Sequence, residues 1–174
     1  MIDPHWRRIC GLHMTDDGDL AAVWLAHDRD VDAAHLYDCC VFRREVMAVI
    51  AEGINCRGRY MPVAWERGMK ATADQLLERG VNVLPELYVE DDSMAEVMSG
   101  DVSERMRTGR FKVERRLQEW LDEFRGFSRR DGKIPRDTFP LMAATRCAVA
   151  QVKYAKPAAR ARRQTLNHPK LAVI

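Results

Sequence analysis

The chain lacks any apolar run of about 18 residues or more, the length that crosses a bilayer, and no apolar signal core follows Met1. The expectation is a cytoplasmic protein without a membrane partner. Cysteine is sparse and unpaired: Cys10, Cys39, Cys40, Cys56 and Cys147 are odd in number and contain no Cys-x-x-Cys spacing. That pattern speaks against a zinc site or a disulfide framework and for small apolar residues in a reducing compartment. No glycine-rich loop closes in Gly-Lys-Ser/Thr. Gly132-Lys133-Ile134 does not qualify, so the chain carries no P-loop ATPase. There is no internal repeat. One domain is expected from 174 residues, enough to bury a core without staples.

Charge is nearly balanced in sum but not along the chain. Net charge is +2, and the six cations from Lys153 onward, with no acid among them, leave −4 for residues 1–152. A mildly acidic body with a basic end is a layout found in proteins that touch nucleic acid or an acidic partner. The division expected is a folded domain over 1–155 and a basic, flexible tail over 156–174.

Hydrophobic patterning predicts the elements. Residues 8–14, 20–26 and 34–42 read as three strands joined by short polar loops such as Thr15-Asp16-Asp17-Gly18-Asp19, an antiparallel meander. Val46, Val49, Ile50 and Ile54 then fall on one face of a helix. A short strand over 61–65 follows. A helix with Met69, Ala73, Leu76 and Leu77 inward comes next, ended by Gly80, and then a strand over 81–84. Ser93 and Glu96 have the spacing of a capping box opening a helix that runs to about Thr108, with Met94, Val97, Met98, Val102 and Met106 inward. Phe111–Val113 is extended. Leu117, Trp120, Leu121 and Phe124 mark a further helix, Asp131-Gly132 a hairpin tip, and Pro140 the first turn of a last helix reaching Tyr154. Meander first, then alternating helices and strands, predicts an α/β domain: a mixed sheet, the three-strand meander plus shorter strands, flanked by helices.

That order is the one seen in RNase H-like folds, and several strings narrow it. Trp6-Arg7-Arg8-Ile9-Cys10-Gly11-Leu12, Ala21-Ala22-Val23-Trp24-Leu25-Ala26, Tyr37-Asp38, Pro62-Val63-Ala64-Trp65 and Gly80-Val81-Asn82-Val83-Leu84-Pro85-Glu86 occur in sequence. They are followed by Arg107-Thr108-Gly109-Arg110-Phe111-Lys112-Val113, Glu123-Phe124-Arg125, Arg130-Asp131-Gly132-Lys133-Ile134 and Leu141-Met142-Ala143-Ala144-Thr145-Arg146. Together, over residues 5–155, they resemble the nuclease domain of tailed-phage terminase large subunits. The resemblance implies a phage, prophage or satellite origin and a link to viral DNA packaging. With no motor motif, a free-standing nuclease-type domain is expected.

Nucleases of that class use two divalent metals about 3.5–4 Å apart, held by carboxylates. The family places aspartates on the first strand, after the fourth, and just ahead of the last helix. Here those positions hold His13, Arg67, and Phe139-Pro140. A ring, a guanidinium and a phenyl group cannot hold two magnesium ions. The expected protein is therefore catalytically inactive, needs no cofactor, and acts by binding double-stranded DNA or packaging proteins such as a portal or another terminase subunit. Arg129, Arg130 and Lys133 at the hairpin tip and Arg160, Arg162 and Arg163 in the tail are the DNA-binding candidates. The alternative is a magnesium- or manganese-dependent endonuclease with displaced ligands Asp17, Glu66 and Asp137 beside His13, manganese tolerating imidazole better. A second alternative is a prophage remnant without function. His13, His27 and His35 fall on consecutive strands without metal-ligand spacing. Cys10 and His13 point to opposite faces of one strand and cannot act as a nucleophile pair.

Overall fold

In the computed structural model, which describes residues 2–85, 88–89 and 91–158, the meander is the centre of the molecule. Strands β1 (Arg7–Met14), β2 (Leu20–Asp28) and β3 (Ala33–Phe42) pair antiparallel in sequence order. Strand β4 (Val63–Ala64) adds to β1 in parallel, and β5 (Phe111–Val113) adds to β3 in parallel. The sheet order is β4-β1-β2-β3-β5, and β6 (Lys156–Pro157) pairs with the start of β1 on the same side as β4. This is the mixed α/β sheet expected from the patterning.

Alternation along the strands sorts the core into two layers. Ile9, Val23, Leu25 and Leu36 face one side, where α3 (Asp92–Arg107), α4 (Gln118–Gly126) and α5 (Pro140–Ala150) supply Val102, Trp120, Leu141 and Ala148. Cys10, Leu12, Ala22 and Trp24 face the other, under α1 (Met47–Asn55) and α2 (Lys70–Glu78). Both faces of the sheet are covered, which is why β2 reads as a nearly continuous apolar run. No helix among the described residues is long and apolar enough to span a membrane.

Several helix details differ from the patterning. Val46, Val49, Leu77, Met94, Val97 and Phe124 are exposed. In α1 the buried set is Ile50, Ala51 and Ile54, with Asn55, and in α2 Thr72 replaces Leu77. Ser93 does not cap α3: Asp91 does, accepting the Met94 N–H at 2.7 Å, so the helix begins at Asp92 and Ser93 lies inside its first turn. The strand expected over 81–84 shrinks to one bridge, Val83 to Val63, and β4 to two residues. The last helix stops at Ala150 and continues as a 3₁₀ turn over Val152–Tyr154. Lys156 and Pro157, assigned by charge to the tail, belong to the sheet through Arg8 and Arg7.

Helix α5 approaches β1 closely because Gly11 has no side chain. A Cβ there would stand 2.4 Å from the Ala144 carbonyl oxygen and 2.6 Å from Ala148 Cβ. Replacing Gly11 with Ala is expected to cost roughly 1–3 kcal/mol through overpacking. Gly100, with open space around it inside α3, is expected to gain about 0.5–1 kcal/mol on the same change. Urea unfolding of the two variants against the parent measures both signs.

Candidate functional site

Parallel register builds the site. Gly11 lies opposite Ala64, so the residues two further along each strand, His13 and Glu66, end side by side at the same edge of the sheet. The segment leading into α5 closes over them. The three parts enclose a cleft of about 370 Å³ lined by His13, Asp16, Glu66, Arg67, Arg136 and Asp137, among others.

The cleft's charges are internally matched. His13 Nδ1 contacts Glu66 Oε1 directly, and the two side chains are only 4% and 7% exposed. Arg136 Nη1 donates to Glu66 Oε2 at 3.5 Å. His13 Nε2 stands 3.4 Å from Asp137 Oδ1, an ionic contact rather than a formed hydrogen bond. The buried Glu66 thus meets an imidazole at one oxygen and a guanidinium at the other.

The remaining candidates divide. Arg67 lines the cleft with its side chain exposed. Phe139 is buried and packs edge-on against Phe127 at 5.4 Å, while Pro140 forms the first turn of α5. Asp17 is exposed on the turn after β1 and does not line the cleft; its neighbour Asp16 does. At the hairpin tip Arg130 and Lys133 pair through their backbones at 2.9 Å, with Asp131 and Gly132 at positive φ. Arg129 is bridged to Glu96, and Lys133 to Asp92 at 2.7 Å, so two of the three tip cations are neutralised by α3. Arg160, Arg162 and Arg163 lie outside the described residues. His27 binds Asp32 at 3.0 Å and His35 stacks on Trp6 at 4.4 Å, both away from His13.

Sequence reasoning missed Glu123. No side chain of α5's own first residues caps that helix. The Glu123 carboxylate, arriving from α4, accepts the N–H groups of Leu141 and Met142 at 2.9 and 3.2 Å. Burial pushes its pKa up to about 7, against the opposing pull of the two N–H donors and, more weakly, of His13. The available signal was a demand rather than a motif: a Phe-Pro helix start leaves orphan donors that some acceptor elsewhere must satisfy.

Neither a protein-family model nor a curated protein matches the sequence. Solved structures do. The large-terminase nuclease domain of phage P22 aligns over 90% of this chain and 87% of its own length, with a TM-score of 0.81 at 20% identity. The nuclease domain of the bacteriophage SPP1 large terminase, solved with bound manganese, covers 84% and 86% at TM-score 0.65 and 16% identity. The nuclease of thermophilic phage G20c with bound cobalt covers 86% and 84% at 0.63 and 17%. The fold is that of a large-terminase nuclease domain.

On that fold, the residues present do not fit a two-metal centre. Among the described residues no group of three or more His, Cys, Asp or Glu side chains is disposed to hold a metal ion. Chemically, the cleft's buried carboxylate, Glu66, already faces an imidazole and a guanidinium, and both would have to move before a hard metal bound its oxygens.

Glu123 gives a pH signature. Its folded-state pKa lies above the ordinary carboxylate value, so the fold binds this proton more tightly than the unfolded chain does. Its contribution is fully present below about pH 4.5 and is lost as pH rises through about 7. Melting temperatures of the parent at pH 5 and pH 8 are expected to fall further apart than those of Glu123→Gln, whose amide oxygen still accepts from α5 but does not ionise. Equal pH shifts in the two proteins would contradict this assignment.

Proposed function

We propose that this chain is a terminase-nuclease-like protein of viral DNA packaging that has exchanged metal-dependent cutting for binding, to DNA or to packaging components such as a portal or another terminase subunit. The carrying observation is the cleft itself. Where the resemblance calls for three acids, the chain has His13, Arg67 and Phe139-Pro140, and its one buried carboxylate is held between His13 and Arg136. The SPP1 and G20c domains were solved with bound manganese and cobalt. In this cleft the buried carboxylate, Glu66, is already engaged by His13 and Arg136, and Arg67 stands beside it, so a hard cation would have to displace those partners.

The active-enzyme reading has one observation in its favour: His13, Glu66 and Asp137, three of its four candidate residues, do converge on one cleft. Asp17 does not join them. The polarity of the pairing weighs against that reading, since each close contact in the cleft joins a cation to an acid rather than acid to acid.

Plasmid nicking by the purified protein in magnesium, in manganese and with a chelator decides between them. No cutting in either metal is expected. Chelator-sensitive nicking would overturn the binding reading and restore Glu66 and Asp137 as ligands. The triple variant His13→Asp, Arg67→Asp, Pro140→Asp is expected to acquire manganese-dependent nicking that the parent lacks.

A further inference from the structure

A second surface lies at the opposite end of the sheet, five residues back along β1 from His13, which is about 17 Å at strand rise. Register sets its composition. Lys156 of β6 pairs with Arg8 of β1, Arg8 with Ala26 of β2, Ala26 with His35 of β3, and His35 with Lys112 of β5. Partners directly across a sheet share a face, so one row crossing five of the six strands carries three cations and an imidazole on the same side. Trp6, just before β1, packs its ring against His35 at 4.4 Å, tilted by 36°. The guanidinium of Arg8 sits over the Tyr37 ring at 5.2 Å. The row ends in a groove of about 330 Å³ formed by His35, Lys112, Glu114 and Arg115, among others.

Many cations of the helical layers are spent on acids, whereas those of this surface are not. Arg105, Arg107, Arg110, Arg129 and Lys133 are each bridged to a carboxylate. Lys112, Arg115 and Lys156 are exposed and make no ion pair among the described residues, and Arg116 donates to a neutral carbonyl, that of Tyr37, at 2.7 Å. Glu114 and Asp28 offset them in part. Burial, with the Lys112 charge second, holds the His35 imidazole below its ordinary pKa against the pull of those two acids. The basic run Arg160, Arg162, Arg163 follows Lys156 within a few residues.

We infer that this row, with Lys112, Arg115 and Lys156 as its exposed contacts, binds the phosphodiester backbone of DNA without reading sequence. Exposed cations at both ends of a row that holds Trp6, His35 and Tyr37 offer a phosphate chain separate contacts along one line. The surface replaces the hairpin tip as the DNA contact and leaves the cleft free. It rests on the binding reading above only in taking DNA as the ligand.

Fluorescence anisotropy of the full chain with a labelled duplex, and with a single strand of the same length, tests it across a salt series. Lys112→Ala/Arg115→Ala is expected to weaken binding roughly tenfold at low salt. It should also reduce the slope of log affinity against log salt by about 2, one unit for each phosphate contact. Both positions are exposed, and an unchanged melting temperature certifies the fold; Lys156→Glu, on the far side of the row, is expected to weaken binding in the same way. The duplex and single-strand arms show which form of DNA the row prefers. Parent binding that the double variant leaves within about twofold, or that Arg129→Ala/Lys133→Ala weakens instead, overturns the surface while leaving DNA binding intact. A parent that binds neither form at low salt overturns the surface together with the DNA arm of the functional reading.

Discussion

Helix α5 rests on the bare backbone of Gly11, and that approach sets where everything at the cleft end must lie. A Cβ at this position would collide with the Ala144 carbonyl oxygen and the Ala148 methyl, so only glycine lets the helix pack as it does. Its first turn therefore arrives beside the ends of β1 and β4, and the segment carrying Arg136 and Asp137 is drawn over His13 and Glu66. The same position leaves the Leu141 and Met142 amides facing α4, where Glu123 meets them. One missing side chain thus connects the core, the cleft and the docking of two helices.

The electrostatics of the cleft follow from what that geometry encloses. Burying a carboxylate such as Glu66 alone costs several kcal/mol, and only close, well-placed cations offset it. A site of clustered aspartates meets that cost by binding metal ions and is repulsive without them. In this chain Glu66 is instead held between the His13 imidazole and the Arg136 guanidinium, so the cleft supplies its own partners for the buried carboxylate. On the binding function proposed above, His13 both withholds a metal ligand and gives the neighbouring acid a partner.

Much of this was legible in the residues. The meander, the α/β class and the odd position of His13 come from alternation and from Gly11-Leu12-His13, because strands covered on both faces leave an unmistakable apolar signature. What escaped depended on contacts distant in sequence. The outward turn of Val46, Val49 and Val97 reflects which arc of a short helix meets the sheet, a matter of docking angle rather than periodicity. Asp91 displaced Ser93 as the cap because both were chemically suitable and only the chain's entry angle chose between them. Glu66 was visible only as a displaced candidate, since its pairing with His13 rests on the β1–β4 register, which two-residue strands do not announce. Glu123 was invisible until the donors it satisfies had been located.

The two ends of the sheet carry opposite electrical designs. At the cleft end each cation near a buried acid is consumed by it, and the hairpin tip, whose arginines and lysine look like a DNA contact in the sequence, spends Arg129 and Lys133 on α3. At the other end the strand pairings line up cations with almost nothing to answer them. Exposed ion pairs contribute little to stability, typically under about 1 kcal/mol, but they cancel the field a polyanion would sense. A count of basic residues alone therefore does not locate the surface a polyanion would sense. The cations left without acids contribute most to that field, and on this face strand register brings several of them into one row.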